Sequence, residues 1–285
     1  MQAFDVSLTN WIASLAIYMH QLSKEDKSEK QLYDPSKHFT YQPASGLNDL
    51  FVVFVIGETT RWDHMGLLGY PRDTTPRLSK EKNLVAFRGT SCDTSTKLSL
   101  RCMFVREGGT ENNPQRTLKE QNVFTVMKSL GFTSELFAMQ SEIWFYNNAN
   151  TDNYSFRELI ASEKRNDDKP VDDMLLVDEL KESLGRYPIG KHLVILHTKG
   201  SHYLYSQRYP RSYARYQPEC MGVDDFCSKQ QLVNAFDNSV LYTDFVLSGL
   251  IRQLQKQQAI ASLLLVSDHG ENIFDGDCDK SGHGH

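Results

Sequence analysis

The chain has 285 residues, of which 40% are hydrophobic and 24% charged, and a net charge of −5. That is enough apolar material for one large domain or two small ones, and the acidic balance excludes the basic face of a nucleic-acid binder. Its longest apolar runs, at 51–57 and 262–267, fall far short of the roughly 20 residues a spanning helix needs.

In chain order, residues 1–49 are polar and read as a linker or juxtamembrane segment, with a charge run at 23–31. "WIASLAIYM" is short and has no basic residue before it, so neither a signal peptide nor a span is recognised. "LFVVFVIGE" reads as a buried strand that ends in Gly57 and Glu58. "NLVAFRG" (83–89) is expected to be a second strand. Residues 118–131 have helical spacing, through Leu118, Val123, Val126, Met127 and Leu130, and stop at Gly131. "FTSELFA" (132–138) follows as a strand. "DDMLLVDELKESLG" (172–185) is an amphipathic helix with acidic residues first and glycine last. "KHLVILHT" (191–198) is a strand, and 199–228 is loop-like. The longest helix is expected to start at Ser228, which matches a capping box with Gln231. It then holds Leu232, Phe236, Val240, Thr243, Val246, Leu250 and Leu254 on one face as far as Gln257. "ASLLLVSDHG" is a last buried strand. This alternation predicts one α/β domain with a mainly parallel sheet.

Cys92 and Cys102 form one short-range pair, and Cys220 and Cys227 another, both in polar sequence without metal-type spacing. The pattern favours disulfides and an oxidising compartment over five unrelated thiols. Cys278 is left over. An exported domain without an export signal implies a fragment.

Ligands of open parallel sheets gather beyond the carboxyl ends of the strands. The first strand ends in Glu58, Thr59 and Thr60. The strand at 191–198 ends near His197, with His202 close behind. The last ends in Asp268, His269, Gly270 and Glu271, and "SGHGH" adds His283 and His285. Any one of these is ordinarily a cap or a hydrogen-bonded histidine, but together they suit a divalent metal such as zinc or manganese. Such an ion lowers the pKa of a bound hydroxyl and needs a nucleophile beside it. "CDTSTKLSLRC" offers Thr94, Ser95, Thr96 and Ser99 ahead of a helical-looking stretch. Spacing does not choose among them, nor does it separate a catalytic hydroxyl from an N-cap.

Several stretches together resemble the bacterial phosphoethanolamine transferases that modify lipopolysaccharide, within the alkaline phosphatase/sulfatase superfamily. These are "GETTRWDHMGLLGYPRDTTP", "CDTSTKLSLRCMF", "HTKGSH", "FDNSVLYTDFVL" and "SDHGE". The likeness covers most of 50–285 and is greatest to the branch acting on the inner-core Kdo sugar. It implies a three-layer α/β/α sandwich with a mainly parallel central sheet and a catalytic domain at 50–285. That domain would be C-terminally incomplete and lack an N-terminal transmembrane domain. The resemblance makes Thr96 the nucleophile, and Glu58, Thr96, Asp268 and His269 the ligands of a metal, most often zinc. It gives His202 and His283 catalytic and phosphate-binding roles or a second divalent ion, and makes His197 and Asn148 substrate contacts. It also pairs Cys92 with Cys102 and Cys220 with Cys227. A family lysine four residues beyond Asn148 is Asp152 here. The implied donor is phosphatidylethanolamine and the acceptor lipopolysaccharide (Kdo, inner core or lipid A), reached through a covalent phosphothreonine-type intermediate. The enzyme would act as a monomer at the periplasmic face of the inner membrane, meeting the membrane through the N-terminal domain. A sulfatase- or phosphodiesterase-type hydrolase, or an inactive metal-binding domain, would carry the same motifs.

Overall fold

The protein is described by a computed structural model that covers residues 14–20, 34–37, 46–105, 120–155, 172–222, 227–275 and 281–282. Five strands build the main sheet: β1 (Leu50–Gly57), β2 (Thr133–Ala138), β3 (Asn153–Ser155), β4 (Lys191–His197) and β5 (Ile260–Ser267), in the order β3-β2-β4-β1-β5. Every neighbouring pair is parallel. Parallel neighbours need crossovers, and the helices supply them. A short antiparallel pair, β6 (Asn272–Ile273) and β7 (Ser281–Gly282), follows β5.

The helices are α1 (Thr96–Cys102), α2 (Val123–Ser129), α3 (Ile143–Asn148), α4 (Met174–Arg186) and α5 (Lys229–Leu254). On one face of the sheet, Val53, Val55, Phe137, Val194 and Leu196 pack against Leu176, Leu180 and Leu184 of α4 and Val246, Leu250 and Leu254 of α5. On the other face, Ile56, Leu136, Ala138, Leu193 and Ile195 meet Leu100 of α1, Phe124 of α2 and Phe145 of α3. The expected three-layer sandwich is therefore present. No helix among the described residues is long and apolar enough to cross a membrane.

Register places the chemistry. Ile56 and Ala138 both lie opposite His197, and Gly57 lies opposite Ser267. Strands β2, β4, β1 and β5 thus end along one edge of the sheet, and the residues after them are delivered there together. α5 begins as predicted: Ser228 and Gln231 form a reciprocal capping box. Its buried Asp237 accepts from Tyr70 and Arg72 and pairs with His64, which fastens the segment after β1 to the helix.

Three expectations are corrected. Residues 83–89 form no strand: only Leu84 packs on the core, while Val85 and Phe87 are 76% and 81% exposed. Their apolar alternation has no neighbouring strand to pair with among the described residues, and a strand without a ladder has nothing to hold it. β5 is a half-covered edge strand: Ala261, Leu263 and Leu265 face the core, but Ile260 and Leu264 are 59% and 52% exposed. The helix expected from 118 starts at Val123, because the Asn122 side chain caps it by accepting from Phe124 N. Leu118 lies outside the described residues, as do Cys278 and His283.

Leu250 is fully buried between α4, α5 and the sheet. Leu250→Ala is expected to cost about 2–5 kcal/mol, the range for a leucine deleted from a packed core. Urea denaturation checks this.

Candidate functional site

The centre of the site is Glu58, delivered by β1 and fully buried. Its Oε1 accepts the Thr59 hydroxyl at 2.6 Å, and its Oε2 accepts the Thr96 hydroxyl at 3.1 Å and the Gln140 amide at 2.5 Å. β5 delivers Asp268 and His269 beside it. Asp268 Oδ1 accepts from Thr59 N (3.2 Å) and His269 N (2.7 Å). His269 Nδ1 lies 2.7 Å from the Gly270 carbonyl, which only accepts, so Nδ1 carries the proton. Nε2 is thereby turned to Thr96 Oγ1 at 3.2 Å, Glu58 Oε1 at 3.3 Å and Asp268 Oδ2 at 3.5 Å.

Thr59 shapes this corner. It adopts a left-handed backbone (φ 59°), unusual for a β-branched residue. The turn lets its N–H reach Asp268 while its hydroxyl returns to Glu58. Strain of this kind persists where the surroundings enforce it and clusters at functional sites.

The electrostatics demand positive charge. Burial would raise the Glu58 carboxyl, but the His269 ring and the Thr59 and Gln140 donors outweigh it and hold Glu58 well below the usual carboxylate range. Burial, with negative Glu58 alongside, pushes Asp268 up to about 7. Burial opposes a charged His269, yet Glu58 and Asp268 push it up to about 9. Asp268 Oδ2 is buried without a hydrogen bond, and an orphaned buried carboxylate oxygen is costly. Glu58, Asp268 and His269 offer two oxygens and one nitrogen, all within 4.8 Å of one another. A donor set of this kind fits a divalent cation, which would give Asp268 Oδ2 a partner and relieve the repulsion between carboxylates.

Of the four hydroxyls in "CDTSTKLSLRC", the fold brings Thr96 to this group. It is the first residue of α1, and a disulfide between Cys92 and Cys102 closes the segment around it. Ser99 instead turns inward and donates to the Asp93 carbonyl. A second disulfide joins Cys220 to Cys227.

The histidines divide. His197 is fully buried behind Glu58, between the Gln140 amide (3.2 Å) and the Tyr146 hydroxyl (3.0 Å), and burial lowers it to about 4. It supports Gln140 from behind, and no contact turns it toward Thr96. His202 is lowered to about 4 by burial and by Lys199, and its Nδ1 is buried without a hydrogen bond. Asn148 is held elsewhere: its amide donates to Trp144 O within α3, and it lines a separate cavity of about 280 Å³ with Asn122, Trp144 and Asn147. Asp152 accepts from Ser134 N near the start of β2 and pairs with Lys128, so it staples strands at the far end of the sheet.

Gln140 was missed by motif reading. It follows β2 by two residues and also donates to the Thr198 carbonyl, linking three strand ends. Its signal in the sequence is position alone: it stands just beyond the end of an apolar strand, as Glu58 and Asp268 do.

Comparison with known proteins adds four findings. Residues 51–285 match the Sulfatase family model. The chain is 59% identical over 265 residues to Kdo(2)-lipid A phosphoethanolamine 7''-transferase of Escherichia coli K12, covering 93% of this chain and 47% of that one. It thus spans about half the length of the curated relatives it matches. The soluble domain of lipooligosaccharide phosphoethanolamine transferase A from Neisseria meningitidis superposes with TM-score 0.75 at 30% identity, covering 85% of this chain and 72% of that one. The C-terminal periplasmic domain of EcEptC from Escherichia coli, in complex with Zn, superposes with TM-score 0.71 at 25% identity, covering 85% and 70%.

Proposed function

The chain belongs to the sulfatase family, among its phosphoethanolamine transferases, and from that membership we propose that it moves phosphoethanolamine from phosphatidylethanolamine to lipopolysaccharide at the periplasmic face of the bacterial inner membrane. The acceptor we favour is the Kdo region, after the name of the 59% identical relative. The observation that carries the reading is Thr96 Oγ1 within hydrogen-bond reach of both Glu58 and His269, beside the orphaned Asp268 oxygen.

Glu58, Asp268 and His269 would hold the metal, zinc in this reading, with Thr96 against it. When bound, the ion supplies positive charge that lowers the pKa of a hydroxyl and neutralises phosphoryl oxygens. Thr96 Oγ1 then bonds to the donor's phosphorus as the bond from phosphorus to the diacylglycerol oxygen breaks. The proton that Thr96 gives up passes, relayed by His202, to the diacylglycerol oxygen, so diacylglycerol leaves as the alcohol. In the second half an acceptor oxygen bonds to phosphorus, the Thr96 ester breaks, and the acceptor proton restores the hydroxyl. Covalent catalysis splits one displacement into two easier ones. His202, neutral near pH 7 because burial lowers it, donates to a phosphoryl oxygen or relays a proton. His283 is assigned the same work, and the two histidines are the candidates for a second divalent ion.

The test is diacylglycerol release and headgroup transfer, followed separately. Release that stops after one equivalent without acceptor, and continues with acceptor to yield modified lipopolysaccharide, supports a transferase. Release that proceeds fully to free phosphoethanolamine in the presence of acceptor makes the protein a hydrolase instead. A second expectation concerns Gln140, whose amide holds Glu58 Oε2. Gln140→Ala should weaken zinc binding about 10–100-fold, as loss of a group that orients a ligand does; calorimetric titration measures it.

A further inference from the structure

Asp173 takes no part in the chemistry above, yet two backbone hydrogen bonds fix it to the turn beside Glu58. It is buried at the N-terminal end of α4, but its side chain does not cap that helix. Capping falls to Asp172, whose Oδ1 accepts from Met174 N. The Asp173 carboxylate turns the other way: Oδ1 accepts from Lys199 N and Oδ2 from Gly200 N, both at 2.8 Å. Two consecutive N–H groups with the second residue left-handed (Gly200, φ +47°) make a concave anion-binding nest. Here the anion filling it is part of the protein.

The loop so held is the one that closes on Glu58. Ser201 N donates to the Glu58 carbonyl at 3.0 Å, and Thr198 N to the Ile56 carbonyl at 3.0 Å. A side chain at Gly200 would put its Cβ 2.7 Å from Glu58 O and 3.1 Å from Glu58 Cβ, so loop and metal-ligand backbone touch with no room between them. Ser201 Oγ is further fixed by Ser239 of α5 at 2.8 Å. His202 N returns to Lys199 O. The carboxylate thus holds the turn at Lys199 and Gly200, between the bonds that tie Thr198 to β1 and Ser201 to Glu58 and Ser239, with His202 at the turn's far end.

We propose that Asp173 is a positioning residue for this site: by filling the nest of Lys199 and Gly200 it presses the 198–202 turn against the Glu58 backbone and presents His202. Its effect on catalysis rests on the transfer reading above, whereas its effect on the turn and on the metal ligand Glu58 does not.

The experiment compares Asp173→Ala, Asp173→Asn and Asp172→Ala in the 285-residue chain. The asparagine keeps one acceptor oxygen at the same size, so it retains one of the two bonds and guards against a variant that fails to fold. Asp172→Ala removes the bonds from Met174 N and the Tyr242 hydroxyl at the same helix end without touching the nest. Amide hydrogen exchange at 199–202 is expected to accelerate at least about tenfold in Asp173→Ala, less in Asp173→Asn, and not in Asp172→Ala, with the β4 amides unchanged in all three. Zinc titration is expected to show the same order of weakening. In the transfer assay kcat should fall in that order, with the donor KM changing less than about twofold, as expected when orientation and not binding is lost. Unchanged exchange at 199–202 in Asp173→Ala overturns the proposal. So does equal acceleration by Asp172→Ala, which would make the effect one of helix stability alone. Altered exchange and zinc affinity without any transfer in the unmodified chain would keep the positioning role and reject the transfer reading.

Discussion

Thr96→Ala is expected to abolish headgroup transfer, by about 10³-fold or more, since removing a nucleophile removes the whole covalent route. The unmodified chain incubated with donor and no acceptor should gain the mass of one phosphoethanolamine group, located at Thr96 by peptide mapping. The alanine variant should gain none. It should fold normally: Thr96 is only part-buried, and the disulfide that closes its loop is unaffected. Thr96→Ser, which keeps the hydroxyl, should retain measurable transfer. An adduct that persists in the alanine variant would rule out Thr96 as the nucleophile and reopen the choice among the other hydroxyls of the loop.

The second large effect is one of opposite signs in two states. Asp268→Asn should remove most metal binding, because a charged ligand is replaced by a neutral one. The metal-free protein, however, should become more stable. Its buried carboxylate has an oxygen without a hydrogen bond and faces Glu58, an arrangement worth roughly 1–3 kcal/mol of destabilisation. The pH dependence follows from the same carboxyl. Its folded-state pKa of about 7 lies above the ordinary 3.8, so the folded chain binds a proton that the unfolded chain has released. The metal-free fold should therefore lose stability as pH rises from about 4 to about 7, and the asparagine variant should lack this part of the slope. Thermal unfolding with chelator, at several pH values, reads both. A variant less stable than the parent without metal would show that Asp268 serves the fold and not an ion. A more stable variant would instead fit the common pattern in which function is held at the expense of stability.

Much of the architecture is legible in the chain itself. The apolar runs that become β1, β4 and β5, and the capping box of α5, are local patterns, and local patterns survive folding when the core agrees with them; the single buried face expected of α5 is exceeded, since residues 234–244 are all buried. The same holds for strand ends: Glu58, His197 and Asp268 were marked because each follows an apolar run, and parallel register then brings those ends to one edge. Two expectations failed for one reason. Residues 83–89 and the outer face of β5 carry strand-like apolar residues, but whether such residues are buried depends on what lies beside them, which periodicity does not encode. Asn148 and Asp152 show the same limit on the polar side. The resemblance implies a substrate contact at Asn148, and Asp152 stands where the family has a lysine, while their hydrogen bonds are spent within α3 and at the start of β2.

By itself, then, the sequence determined the class of fold, the strands that carry the site, the two disulfides and the set of residues from which a metal centre could be drawn. These follow from periodicity, end signals and residue chemistry, all of which are read along the chain. Spacing left four hydroxyls of "CDTSTKLSLRC" open and the resemblance implied Thr96; only the tertiary structure sets Thr96 at about 3 Å from Glu58 and places His197 behind Gln140. It also decided that Gln140 and Asp173 belong to the assembly at all. Those choices rest on distances of about 3 Å between groups that the chain separates by 26 to 173 positions, and hydrogen bonds of that length exist only once the sheet has fixed its register.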